Sequence, residues 1–227
     1  MTRSAGHTGS TGHALTVARS AALWGPAAFA VAAAAAARRH PGYDHRRDHV
    51  SGLAARGTRS APVMVAGFAA LGVAELVMKA PTPAARRLVR LAGAATLVAG
   101  ACRASTPACP APFLDPTADG GDLAHGVASL TAFTCWLALP VVTARAPGPP
   151  SYRAASAALV VPTAVAYVVA GVTTRAGSPR KGVAQRALLG CAFTWHAATA
   201  AASSAASPAK PPRVLRSRGR RDPIRRR

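Results

Sequence analysis

Residues 122–143 read DLAHGVASLTAFTCWLALPVVT, and the only charged residue among them is Asp122 at the first position. A run of roughly 18 or more apolar residues with few charges is typical of a helix that crosses a bilayer. A helix on the surface of a soluble protein instead keeps one polar face along its length. This stretch therefore predicts a transmembrane helix.

Five further runs of the same kind lie on either side of this one. Each is rich in Ala, Gly, Ser and Thr, which allow helices to approach closely in lipid. Because a spanning segment must satisfy its own backbone groups, we expect each run to be helical. The sequence thus predicts an all-α fold, an integral membrane bundle of six transmembrane helices. The other five runs cover residues 14–37, 61–80, 88–103, 154–173 and 183–203.

The two ends of the chain have a different composition from the bundle, which is expected to cover residues 14–203. Residues 1–13 are polar and rich in Gly, Ser and Thr, and they are predicted to be disordered. Residues 204–227 form a basic, Pro-containing tail that is also predicted to be disordered. Arg19 precedes an apolar stretch with small residues, so the first run also has the features of a signal peptide.

The chain is strongly basic, with a net charge of +21. Aromatic residues make up only 5% of it, which leaves few side chains for stacking on bases and argues against a nucleic-acid binder. Basic residues of membrane proteins collect in loops and tails, where they contact anionic headgroups. The expected partners are the lipid bilayer and, at the tail, anionic lipid headgroups, with the oligomeric state left open. The tail carries nine of the 28 Lys and Arg residues: Lys210, Arg213, Arg216, Arg218, Arg220, Arg221, Arg225, Arg226 and Arg227.

The distribution of Lys and Arg between the two sides predicts the orientation. With six spans both termini lie on one side, and that side holds 17 of the 28 basic residues. The positive-inside rule then predicts an inner (plasma) membrane protein with both termini in the cytoplasm. Without the tail the other side holds more basic residues, so the tail decides this prediction.

The loop after the first run contains the most polar candidate site. Asp44, Asp48 and Ser51 have a spacing that places them on one face if the segment is helical. His125 lies near the start of the fourth run, for which Asp122 is the expected N-cap, and Arg186 begins the sixth run at a matching depth.

These groups suggest a specific chemistry. If they converge at the outer membrane surface, an arginine with carboxylates and a histidine would suit a phosphate or lipid headgroup. We therefore take Asp44, Asp48, Ser51 and His125 as candidate catalytic residues and Arg186 as a candidate ligand-binding residue. The alternatives are a solvated connector and a histidine that contacts headgroups at the interface.

The cysteines predict a disulfide but no metal site. Cys102 and Cys109 flank a short segment that is expected to face an oxidising compartment, so we predict a disulfide between them, with two free thiols as the alternative. Their spacing does not fit a zinc knuckle or ribbon. Cys135 and Cys191 lie inside apolar runs and are expected to be packing residues.

Polar residues inside the runs have simple expected roles. Glu75 is ionisable and lies within the second run, where such residues suggest transport or proton relay. Lys79 follows four residues later, so the expected arrangement is a local ion pair whose side chains reach the interface. Trp195 and His196 are expected to mark the inner interface.

Three segments carry a resemblance to a known family: HPGYDHRRDHVSGLAARGT (40–58), CRASTPACPAP (102–112) and DLAHGVASL (122–130). Together they resemble the bacterial family known as domain of unknown function 998. The resemblance extends over most of residues 15–203 and implies a six-helix membrane protein without an assigned activity. The related pattern often has an acidic residue before the arginine of the sixth helix, where this chain has Gln185.

No motif predicts an activity. The chain lacks a nucleotide-binding loop, a nucleophile elbow, a zinc-protease motif and a dinucleotide fingerprint, and no cofactor is expected. We expect a multi-pass membrane protein with a polar site on its outer face and no assignable activity. The alternatives are a membrane-embedded enzyme or binding protein that acts on a lipid or phosphate headgroup, and a small transporter. A shared cavity for His125, Arg186, Asp44 and Asp48 would favour the enzyme.

Overall fold

The computed structural model describes residues 9–107 and 115–205, and the side chains from residue 20 to residue 203 outside that gap. It is all-α over these residues, as predicted, with six helices and no strand. A short 3-10 helix, Val50–Ala54, lies in the first loop, by which we mean residues 39–60. The six helices are α1 Gly9–Arg38, α2 Ala61–Val77, α3 Pro83–Ala101, α4 Gly120–Ala144, α5 Pro150–Arg175 and α6 Lys181–Ala205.

Every predicted apolar run coincides with one helix, although several ends differ by a few residues. Three segments are long and apolar enough to cross a membrane by themselves, namely Ser20–Arg38, α4 and α5. The apolar helix α2 is shorter. The start of α3 carries Arg86, Arg87 and Arg90, which lowers the mean hydropathy of that helix.

The helices pack against their neighbours in chain order, and α1 also packs against α6, which closes the bundle. Glycines permit the closest of these approaches. A Cβ atom added to Gly93 of α3 would lie 2.7 Å from the carbonyl oxygen of Gly72 in α2. One added to Gly25 of α1 would lie 2.3 Å from the Cβ atom of Ala74 in α2. Small residues therefore set the distances between these helices.

The outer surface of the bundle is apolar, unlike the surface of a soluble protein. On α5, Val161, Val165, Val168 and Val172 lie on the outer surface and are each more than half exposed. Polar side chains lie inside instead, and several are at most 2% exposed: Glu75, Thr96, Thr143, Ser156, Thr163, His196 and Thr199. An apolar outer surface, with the few buried polar side chains held inside the bundle, is what a lipid solvent favours.

Candidate functional site

The two aspartates of the first loop bind the backbone of that loop. The Asp48 carboxylate accepts a hydrogen bond from the backbone N–H of Asp44 at 2.8 Å. The Asp44 carboxylate accepts one from the N–H of Arg46 at 2.7 Å. Aspartate side chains commonly stabilise turns in this way. Both carboxylates thus fix the conformation of their own loop.

Arg186 holds the first loop against the start of α6. Its Nη1 donates to the carbonyl oxygens of His45 at 2.5 Å, Asp48 at 3.1 Å and Gly182 at 2.9 Å. Its Nη2 donates to the Tyr43 hydroxyl and lies 3.3 Å from Nδ1 of His45. Burial raises the pKa of the Tyr43 phenol, and the neighbouring Arg186 charge opposes that rise. The guanidinium therefore contacts the backbone of Asp48 rather than its carboxylate.

The 3-10 helix forms the buried part of the first loop. All five of its residues are buried. The Val50 N–H donates to Oε1 of Gln185 at 2.7 Å, so this glutamine takes part in holding the loop. A Cβ atom added to Gly52 would lie 2.2 Å from the carbonyl oxygen of Pro107. The 3-10 helix thus packs tightly between α6 and the α3–α4 connector.

His125 lies apart from these residues. It is 4% exposed, and its Nδ1 is 2.8 Å from the carbonyl oxygen of Ala99 in α3. Its Nε2 is 3.5 Å from the hydroxyl of Ser129. The ring therefore contacts α3 rather than the lipid headgroups.

A small cavity of about 30 Å³ lies below the 3-10 helix, and we call it the central cavity. Ser51 and Gln185 line it on the side of the first loop, while Thr96 and Trp136 line it deeper in the bundle. Asp44, Asp48, His125 and Arg186 are absent from its lining. The structure thus brings Asp44, Asp48 and Arg186 together where the first loop meets α6, and it places Ser51 at the central cavity and His125 against α3. A catalytic role for these residues stays a prediction.

Glu75 forms the centre of a second polar group that the sequence did not predict. Its side chain is fully buried, and its Oε1 accepts a hydrogen bond from Trp136 Nε1 at 2.7 Å. Its Oε2 accepts one from Thr96 Oγ1 at 3.4 Å. Nε2 of His196, a residue only 1% exposed, lies 3.2 Å from Oε1. We call these four residues, drawn from α2, α3, α4 and α6, the polar centre.

Two expectations about these residues are wrong. Glu75 does not pair with Lys79, because α2 ends at Val77 and the exposed Lys79 lies beyond it. Trp195 and His196 do not mark an interface, because both are 1% exposed. The sequence did contain a signal for the polar centre. The second apolar run contains the carboxylate of Glu75, the fourth contains the N–H donor of Trp136, and the sixth contains His196. The sequence did not give their rotations about the helix axes.

A further polar group lies between the end of α4, the start of α5 and α6. Trp195 Nε1 donates to Thr143 Oγ1 at 3.0 Å, and the Tyr152 hydroxyl is 3.2 Å from Thr199 Oγ1. The Ser156 hydroxyl is buried beside the Tyr152 hydroxyl. Trp195 thus belongs to this group, while its neighbour His196 belongs to the polar centre.

The start of α4 is stabilised by a capping box. Asp119 is the N-cap, and Asp122 is the third residue of the helix, so the expectation that Asp122 is the N-cap is wrong. Asp122 instead accepts hydrogen bonds from the backbone of Asp119 and Ser105. Arg56 binds the Asp119 carboxylate and thereby holds the pKa of that group below its usual value. This ion pair ties the first loop to α4.

The predicted disulfide depends on Cys109, which lies outside the described residues. Within residues 9–107 and 115–205 there is no group of three or more His, Cys, Asp or Glu side chains that could hold a metal ion. The predicted tail, residues 204–227, also lies almost wholly outside them.

Comparison with known proteins agrees with the resemblance found in the sequence. No curated protein and no solved structure matches the chain. A family model described as protein of unknown function (DUF998) matches residues 23–202, which include the whole of α2 to α5, most of α6 and the second half of α1. The chain therefore belongs to the DUF998 family.

Proposed function

We propose that the chain is a multi-pass protein of the bacterial inner membrane that crosses the bilayer six times, with both termini in the cytoplasm. The packing of α2, α3 and α6 beside the three candidate spans supports six crossings. The excess of Lys and Arg on the side of the termini supports the orientation. The basic tail would bind anionic headgroups, with about 1 kcal/mol for each basic residue near the surface.

The orientation is tested with two fusions at the C-terminus in bacterial cells. A fluorescent protein that matures only in the cytoplasm should be bright after Arg227, and alkaline phosphatase at the same position should be inactive. The reverse pair of results would place the tail outside and contradict the proposed orientation. Fusions within the first loop, after Arg47, serve as the control and should give the opposite pattern.

Within the bundle, the polar centre favours a small transporter or relay over an enzyme at the membrane surface. The observation that carries this proposal is the complete burial of Glu75 beside His196 among apolar helices. An ionisable group in the membrane interior is costly, so its presence points to a pathway for protons, ions or substrate.

The hydrogen bonds of the first loop do not favour an enzyme that acts on a lipid or phosphate headgroup. Arg186 directs its N–H groups at loop carbonyls and at Tyr43. The carboxylates of Asp44 and Asp48 accept hydrogen bonds from loop N–H groups. Recognition of a phosphate requires charge-assisted donors directed at the ligand. These groups instead stabilise the loop.

The size of the central cavity indicates what this conformation of the bundle admits. A volume of about 30 Å³ holds roughly two water molecules and excludes an organic solute. We therefore propose that the transported or relayed species is a proton or a small ion.

Flux measurements test this function. Full-length protein in liposomes with a trapped pH dye should acidify or alkalise the lumen when a potassium diffusion potential is imposed. The Glu75→Gln variant should lower the rate by about tenfold or more, because an amide does not exchange a proton at this site. The control is Thr163→Val, which changes a buried hydroxyl that bonds the Leu159 carbonyl of its own helix. Equal rates in wild type, Glu75→Gln and protein-free liposomes would refute the proposal.

A further inference from the structure

The hydrogen bonding of His196 determines which ring nitrogen carries a proton. Nδ1 lies 2.8 Å from the carbonyl oxygen of Ala192. A carbonyl oxygen only accepts, so Nδ1 must be the donor and hold a proton. In neutral His196, Nε2 is then the nitrogen with the free lone pair.

This assignment creates a conflict at the contact with Glu75. Nε2 is buried without an aligned hydrogen-bond donor, and it lies 3.2 Å from Oε1 of the carboxylate. If Glu75 is ionised and His196 is neutral, a carboxylate oxygen and a ring nitrogen that carries only a lone pair lie 3.2 Å apart in a medium of low dielectric constant. One additional proton removes the conflict, as a neutral acid beside a neutral imidazole or as a carboxylate beside an imidazolium.

Two neutral donors also contact the Glu75 carboxylate. Trp136 Nε1 donates to the same oxygen that faces His196, and Thr96 Oγ1 donates to the other oxygen. Donors of this kind favour the ionised form of a carboxylate. The carboxylate of Glu75 thus has two neutral donors and one imidazole nitrogen within contact distance.

Few other charges act on this pair. Cys135 of α4 lies near Glu75. The described part of α1 from Ser20 to Ala37 contains no ionisable side chain. The remaining titratable groups on the packed helices are the exposed Arg86, Arg87 and Arg90 of α3, Asp122 and His125 of α4, Tyr152, Arg153, Tyr167 and Arg175 of α5, and Lys181, Arg186 and Cys191 of α6.

We propose that the polar centre binds a single proton shared between the Glu75 carboxylate and the His196 imidazole. Water in the central cavity supplies it from the side of the first loop, since Thr96 and Trp136 both line the cavity and bind Glu75. In the step, a hydronium ion in the cavity transfers its proton to the pair and becomes water. The charge of the pair changes from −1 to zero. This inference rests on the proposed function, because it names the species that the same site takes up.

Two measurements on wild-type protein and two variants test the inference. Nitrogen NMR of histidine-labelled full-length protein in nanodiscs should show His196 with a proton on Nδ1 at every pH. In a pH-difference infrared spectrum, one proton-uptake signal, either a carboxylic acid band or an imidazolium band, should depend on both Glu75 and His196. Glu75→Gln and His196→Gln should each abolish that signal, and the double variant should lose nothing more. The control is His125→Gln, which removes another buried histidine and should keep the signal.

The outcomes separate this inference from the proposed function. A His196 tautomer with the proton on Nε2 alone, or a Glu75 signal that persists in His196→Gln, would overturn the shared proton. The wild-type tautomer measurement decides the question even if a variant does not fold. Liposome flux without the shared signal would refute this inference alone, and the shared signal without flux would refute only the transport function. A cavity that excludes exchangeable water in the wild type would overturn the proposed route.

Discussion

Gly93→Ala should destabilise the bundle by about 1–3 kcal/mol, and Gly93→Val should prevent correct folding. An added Cβ would lie 2.7 Å from the Gly72 carbonyl oxygen, 2.9 Å from the Glu75 Cβ and 3.0 Å from the Leu76 nitrogen. Two of these atoms belong to the backbone of α2, so they cannot move aside without separating the helices. The measurement is thermal unfolding of purified protein in detergent, with size-exclusion chromatography to detect misfolded material.

Gly171→Ala and Gly190→Ala are the matched controls for this prediction. Both glycines are helical, and nothing lies within 4 Å of a Cβ added to either one. Alanine favours a helix over glycine by about 1 kcal/mol, so these substitutions should leave stability unchanged or raise it. A Gly93→Ala protein as stable as these controls would mean that the close packing of α2 and α3 is not required.

Arg186→Ala should release the first loop from α6 and cost about 2–4 kcal/mol of stability, because hydrogen bonds to a charged group are strong. The carbonyl oxygens of His45 and Asp48 would lose their guanidinium donor. Arg186→Lys should restore only part of the loss, since an ammonium group cannot reproduce the planar arrangement of donors. Hydrogen exchange of residues 43–54 measures the release directly and should become much faster.

Arg47→Ala is the control for the Arg186 substitutions. Arg47 lies in the same loop and carries the same charge, but it is exposed. If both alanine variants gave the same exchange rates in the loop, the Arg186 contacts would not hold it. If Arg186→Ala instead abolished binding of a phosphate headgroup without loosening the loop, the ligand-binding role predicted from the sequence would be supported.

The sequence predicted the helices well and the contacts of the polar residues poorly. The run at 122–143 became α4, Gly120–Ala144, because hydropathy and length alone require a helix in lipid. The interpretation of Glu75 failed because Lys79 lies at the favourable spacing only if α2 continues, whereas Met78 is extended. The prediction that Asp122 is the N-cap was wrong for a similar reason, since the N-cap is Asp119, three residues earlier. The spacing of two residues indicates whether they would be neighbours within a helix. It does not indicate where that helix begins or ends.

The sequence by itself determined that most of this chain is a set of apolar helices, because long uncharged runs have no other stable arrangement in lipid. Only the tertiary structure decided that Glu75, Thr96, Trp136 and His196 meet, since they come from four helices and the last three lie 21, 61 and 121 positions after Glu75. The rotation of each helix determines which of its side chains face inward. That rotation depends on close contacts such as Gly93 against Gly72, which exist only after the helices have packed.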